Sequence, residues 1–196
     1  MQLAGGDLAG AEKSYLQALH TQKELQAESD AAATQVSLAN LNIERGDFSA
    51  AEKPAQDSLK SSLEGNDTTG EILARCILAQ VFLGMRRNKD AEEQILKAKD
   101  HMKDVQDVSL RAMFFIQQAI LENAPKPSET SISELKKNET EMRKAGYLQL
   151  ALEAKLARAQ ALAGSARKSE LRAVAEEARQ HGYLLLARKA AESPGA

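Results

Sequence analysis

The chain has 196 residues, 43% of them apolar, and a formal net charge of −2: long enough for a sizeable core, too apolar and too nearly neutral for a disordered chain. More than half of the residues are Ala, Glu, Lys, Leu or Arg, Val and Ile are few and Trp is absent, a composition of long helices that leaves a sheet-rich fold without its preferred residues. The single cysteine, Cys76, excludes an internal disulfide and a cysteine-based zinc site. No stretch approaches the roughly 20 consecutive apolar residues of a membrane-spanning helix, and the N-terminus lacks the basic start and apolar run of a signal peptide, so a cytoplasmic location without membrane insertion is expected.

Hydrophobic periodicity and breaking residues predict ten helices. In chain order they run over Asp7–Leu25, Asp30–Arg45, Asp47–Leu63, Thr68–Met85, Lys89–Lys103, Val105–Glu122, Ser131–Ala145, Tyr147–Leu162, Ala166–His181 and Tyr183–Ala191. Gly46, Gly65, Gly84, Gly146, Gly164 and Gly182 fall at the breaks, where a left-handed backbone is expected. Pro125 and Pro127 stop the sixth helix, and Ser131 with Glu134 is the pattern of a capping box for the seventh. Pro54 falls inside the third helix, where its missing N–H predicts a kink.

Two segments align at an offset of 40, GGDLAGAEKSYLQAL from Gly5 and RGDFSAAEKPAQDSL from Arg45, and RRNKDAEEQILKAKD from Arg86 continues the register. Ala11, Ala51 and Ala91 share one position; Ala18, Ser58 and Ala98, seven residues later, share another. Seven residues make two helical turns, so both lie on one stripe, where small side chains let a neighbouring helix approach closely. Upstream of the turns, Leu38, Ala39 and Ile43 recur as Leu78, Ala79 and Leu83. The unit is helix, tight turn, helix. A further match at an offset of 36 joins AGYLQLALEAK from Ala145 to HGYLLLARKAA from His181.

This pattern resembles the tetratricopeptide repeat family. The family's Leu then small residue, Gly-Asp-aromatic turn and small–aromatic–small spacing are matched by Leu38, Ala39, Gly46, Asp47, Phe48 and Ala51, and by Gly6, Asp7, Leu8, Ala11, Tyr15 and Ala18. No Trp opens the first helix, no proline closes the units, and the period is near 40 rather than the family's 34. The resemblance implies an all-α, right-handed helical-repeat solenoid of about five helix pairs. It would be a single domain over 1–196, with clear repeats over 1–103 and degenerate repeats with a C-terminal capping helix over 104–196. In the family the second, fifth, ninth and twelfth positions of each first helix face a concave groove. Carried over, these are Ala33, Val36, Asn40 and Ile43, then Leu73, Cys76, Gln80 and Leu83, then Met113, Ile116 and Ile120, and last Ala151, Ala154 and Arg158. The aliphatic members are equally expected as core between units. Asn40, Gln80 and Arg158 are the best groove residues, because buried polar groups need partners. The Lys/Asn/Arg carboxylate clamp of some eukaryotic members is not reproduced.

Catalytic chemistry has no convergent cluster to stand on. His20, His101 and His181 lie too far apart along a repeat array to share a metal; each falls near a helix C-terminus, where a partly protonated imidazole suits the dipole. Cys76, on an apolar helix face, reads as a buried, inert thiol. No phosphate loop, His-Glu-x-x-His or Gly-x-Ser-x-Gly occurs, and the acidic pairs Glu92-Glu93 and Glu176-Glu177 read as solvated faces. Residues 1–133 carry a net −6 and residues 134–196 a net +4; aromatics are too few in the basic part to stack bases, and nucleic acid is not expected.

The leading expectation is a non-catalytic interaction scaffold for a protein or peptide, without cofactor or metal, forming the arm of a larger bacterial signalling or regulatory protein. Its groove residues would be Val36, Asn40, Ile43, Gln80, Leu83, Ile116, Ile120 and Arg158. The alternatives are a sensor module for a small peptide or metabolite and the non-catalytic fragment of an enzyme. The array begins mid-unit, so the apolar face of the first helix, with Leu8, Tyr15, Leu16 and Leu19, predicts either a homodimer through this open edge or an upstream repeat.

Overall fold

A computed structural model of the chain describes residues 8–123 and 127–194. Among them there are ten α-helices and no strand: α1 (Leu8–Glu24), α2 (Glu28–Arg45), α3 (Phe48–Glu64), α4 (Thr68–Gly84), α5 (Asn88–His101), α6 (Val108–Asn123), α7 (Glu129–Lys144), α8 (Leu148–Ala161), α9 (Gly164–Gln180) and α10 (Leu184–Glu192). A single turn of 3₁₀-helix, Met102–Asp104, follows α5. All ten predicted helices are present. The Gly5–Gly6–Asp7 turn of the first repeat and Pro125 lie outside the described residues.

The helices form two compact units, dividing within α6 between Leu110 and Arg111. In the first, α1 packs on α2, α2 on α3, α3 on α4 and α4 on α5, and the two alternate helices α2 and α4 also touch. In the second, α7 packs on α8, α8 on α9 and α9 on α10, and α8 also touches α10. Within each unit successive helices thus pack on one another, and the alternate pairs α2/α4 and α8/α10 also meet, which is the arrangement of a helical repeat.

The small positions are tight contacts. Ala51 and Ala91 are fully buried, as are Ala98, Ser58 and Ala11 to within 1%; Ala18 is half-buried. Leu38, Ala39, Leu78, Ala79 and Ala119 are buried as well. In the second unit, Ile116 and Ala119 of α6 pack with Leu135, Ala154 and Ala157, and Leu152, Leu156, Leu171, Val174 and Leu186 join α8, α9 and α10 in another cluster.

One turn recurs six times. Gln26, Gly46, Asn66, Arg86, Gly146 and Gly182 have positive φ between 53° and 82°. The N–H of the next residue donates to the carbonyl five positions back in every case: Ala27 to Gln22, Asp47 to Asn42, Asp67 to Ser62, Arg87 to Phe82, Tyr147 to Met142 and Tyr183 to Ala178, all at 2.8–2.9 Å. This left-handed closure satisfies the last carbonyls of the helix. The first four follow one another every 20 residues, so the backbone repeats by single helices although the side chains repeat by pairs.

That geometry corrects two glycines. Gly65 is right-handed, with φ −83°, and Gly84 is the last residue of α4; the left-handed positions are Asn66 and Arg86. Gly84 answers a steric need instead. A Cβ there would lie 2.3 Å from Phe48 Cδ1 and 2.5 Å from its Cγ, so the ring of α3's first residue occupies the place of a side chain. The cap of α7 is corrected too. Ser128 accepts from the Ser131 N–H at 3.4 Å and starts the helix at Glu129. Ser131 is buried inside the first turn, donating to Asn123 Oδ1 at 2.6 Å.

Pro54 lies inside the continuous helix α3. A residue there would normally donate to the carbonyl of Ala50, four positions back. That carbonyl accepts from Asn42 Nδ2 of α2 at 3.2 Å instead, so a neighbouring helix supplies the donor that proline lacks.

A candidate interaction face

Helix α2 has an accessible stripe of Ser29, Ala33, Ser37, Asn40 and Glu44, spaced at three and four residues and exposed or half-buried. Forty residues on, α4 presents Thr69, Leu73, Gln80 and Gly84, also exposed or half-buried. The helices touch, and the two stripes occupy equivalent places in the repeat, so they share one side of the first unit.

Within it, Asn40 and Gln80 hold the same position. Both are half-buried, and neither amide has a hydrogen-bond partner among the described residues, although both reach solvent. A primary amide offers two donors and an acceptor. Two of them one repeat apart on adjoining helices form a short row of unspent hydrogen-bonding capacity. By contrast Gln35, on the inner side of α2, is buried with its Oε1 unpaired and has no access to a ligand.

The other predicted groove residues divide by burial. Val36, Ile43 and Ile116 are 4–7% exposed, and Cys76, Ala151 and Ala154 are buried to 1% or less; these side chains pack between helices. Leu83, Ile120, Leu73 and Met113 are half-buried, and Ala33 is exposed. The Cys76 thiol is pushed up to about 12 by burial, which keeps it protonated and unreactive at neutral pH.

Arg158, on α8 of the second unit, is spoken for. Its Nη2 donates to Glu139 Oε2 of α7 at 3.2 Å and to Glu170 Oε2 of α9 at 3.1 Å, with the side chain 14% exposed. Arg143 continues the network to Glu139 at 3.3 Å and to Glu177 at 2.6 Å, and Lys155 meets Glu177 at 2.8 Å. Three cations and three carboxylates thereby link α7, α8 and α9. Arg143 and Lys155 hold the Glu177 carboxyl down at about 2. Glu92, Glu93 and Glu176 are exposed, as the sequence suggests, but Glu177 is half-buried in this network and not on a solvated face. Glu139 precedes Arg143 by one helical turn, a spacing visible in the sequence; the pairing of Glu170 and Glu177 with other helices has no local signature.

The cations of α2 and α4 are likewise engaged. Arg45 donates to Glu12 of α1 at 2.8 Å. Arg75 is 8% exposed and donates to Glu71 at 2.8 Å and to Gln94 at 2.9 Å, and His101 lies 3.8 Å from the same Glu71. His101 ends α5 and His181 follows α9, as expected from the helix dipole. At the N-terminal edge, Ala9, Glu12, Lys13, Leu16, Gln17 and His20 line an open depression on α1. Leu16 is its exposed apolar residue, while Leu8, Tyr15 and Leu19 are half-buried.

Among the described residues no group of three or more His, Cys, Asp or Glu is placed to hold a metal ion, and no helix is long and apolar enough to cross a membrane. Comparison with protein-family models, with curated proteins and with solved structures finds no match to this chain.

Proposed function

We propose that the first unit is a non-catalytic docking platform that receives an extended protein or peptide segment across α2 and α4. The observation that carries this reading is the pair of unpartnered amides, Asn40 and Gln80, at one repeat position on adjoining helices. An extended backbone offers alternating donors and acceptors that such amides can match, and a polar group left unpaired at a surface is free to spend its full hydrogen-bonding capacity on a ligand. The resemblance to tetratricopeptide repeats supports the same use of the first helices, as the interaction arm of a larger regulatory protein. Leu73 and Leu83 beside the amides supply apolar contact for a ligand side chain.

The test is selection of a displayed random-peptide library on the protein, followed by affinity measurement on the Asn40→Ala/Gln80→Ala double variant. Loss of two hydrogen bonds should weaken the selected peptides by about tenfold or more, with an unchanged thermal melt. Equal affinity for the double variant would refute the assignment.

A further inference from the structure

At one end of the first unit, the first turn of α2, the last turn of α3 and the N-cap of α4 line a cavity of ≈ 300 Å³. It lies about 18 Å along α2 from Asn40 and is separate from the platform. Its lining brings together the carboxylates of Glu28, Glu64 and Asp67 and the hydroxyls of Ser29, Ser61 and Ser62, with no basic side chain among the described residues. Two of these groups carry unused hydrogen-bonding capacity. Ser62 is 3% exposed, yet its Oγ has no partner, although a buried hydroxyl that pairs with nothing is costly. Asp67 commits Oδ1 to the Gly70 N–H at 3.0 Å, the capping bond of α4, and its Oδ2 makes no further bond among the described residues. Both oxygens turn towards one notch at Gly70. A Cβ on that glycine would stand 2.4 Å from Asp67 Oδ2 and 2.6 Å from Ser62 Oγ, so the two oxygens are no more than about 5 Å apart. One donor nitrogen can reach both at about 2.8 Å.

We propose that this cavity binds a primary alkylammonium group. An ammonium has three N–H donors and no acceptor. Two of its donors match Ser62 Oγ and Asp67 Oδ2. The third matches the carboxylate of Glu28, which has no hydrogen bond or ion pair among the described residues. Glu64 lies 3.7 Å from Lys60 on the exposed rim and adds only to the negative field. Other ligand classes fit less well. An anion meets three carboxylates. A divalent metal lacks its ligand set, since no group of three or more His, Cys, Asp or Glu is placed to hold one among the described residues. A guanidinium prefers both oxygens of one carboxylate, and Asp67 has already committed one of its two to the cap.

The experiment titrates the nitrogen-15-labelled protein at pH 7 with butylammonium chloride and follows its backbone amides by NMR. Tetramethylammonium chloride at equal ionic strength supplies the same charge without an N–H donor, and KCl supplies a bare cation. Butylammonium should give saturable shifts at Ser62, Asp67 and Gly70 in the millimolar range, and the two controls none. Asp67→Asn keeps a cap of similar quality on α4 and should weaken binding by about tenfold, and Ser62→Ala by about fivefold, as expected for hydrogen bonds to a charged group. Far-UV circular dichroism checks that both variants fold, and the comparison of cations on the wild type stands without them. Putrescine and N-acetyl-lysine amide separate the two sources of the group. Tighter binding of putrescine assigns a free diamine, equal or tighter binding of the lysine amide assigns a protein side chain, and both support an ammonium site. Equal shifts with tetramethylammonium or KCl overturn the proposal, because charge alone then explains the response. The absence of a saturable shift with butylammonium, or an affinity unchanged in both variants, overturns it as well.

Discussion

Replacing Gly84 by alanine should destabilise this protein, against the rule that alanine favours a helix. Gly84 is the last residue of α4, and glycine to alanine within a helix ordinarily gains about 1 kcal/mol. Here the added Cβ would stand 2.3 Å from Phe48 Cδ1, 2.4 Å from Cε1 and 2.5 Å from Cγ. Carbon atoms sit comfortably at about 3.5–4.0 Å, so the ring must retreat by more than ~1 Å. Spinning the ring about its own axis cannot clear the contact, because Cγ lies on that axis. Either Phe48 leaves its rotamer or α3 and α4 separate, and such overpacking costs about 1–3 kcal/mol. The net expectation is a loss of about 1 kcal/mol. Urea unfolding followed by far-UV circular dichroism should be run on the wild type, Gly84→Ala, Phe48→Ala and the double variant. With the ring removed, the alanine should stabilise by about 1 kcal/mol, giving a coupling of about 2 kcal/mol across the cycle. Stabilisation by Gly84→Ala in both backgrounds would show that Phe48 does not occupy the side-chain space of residue 84.

The Asn42–Pro54 relation predicts a second cycle: Asn42→Ala should cost about 1 kcal/mol more with Pro54 than in a Pro54→Ala background, where the new N–H can serve Ala50; equal effects in urea unfolding would mean that the 3.2 Å bond contributes nothing. Glu177 makes stability depend on acid. Its carboxyl is lowered in the folded protein from 4.5 to about 2, so its contribution is complete above pH 4.5 and fades as the pH falls towards 2. The displacement corresponds to at most about 3 kcal/mol, and partial solvent screening brings the expected value to about 1–2 kcal/mol. Glu177→Gln should therefore be less stable than wild type at pH 7 and nearly equal to it at pH 2.5; a difference that persists undiminished in acid would contradict the ion network.

The all-α class, the ten helices and the tight slots at Ala51 and Ala91 were legible because they rest on local propensities. A 3.6-residue period and a small residue recurring every 40 positions are properties of the chain read along one dimension. The closing turns were half legible. Gly46, Gly146 and Gly182 announce a left-handed residue, but Gln26, Asn66 and Arg86 adopt it too; those side chains accept roughly 1–2 kcal/mol of strain because the next helix must start there to pack. What remained hidden concerns pairs distant in sequence. Gly65 and Gly84 look alike beside their turns, and only the ring of Phe48 lying on Gly84 separates a steric role from a conformational one. Pro54 reads as a defect until Asn42 is seen to supply its missing donor. Asn40, Gln80 and Arg158 are equally anomalous as polar residues on first helices. Tertiary structure alone surrounds Arg158 with Glu139 and Glu170 and leaves the two amides unpaired, since a side chain's hydrogen-bonding capacity is spent on whatever the fold brings within 3 Å or so, and helical periodicity carries no information about which residue of another helix that will be.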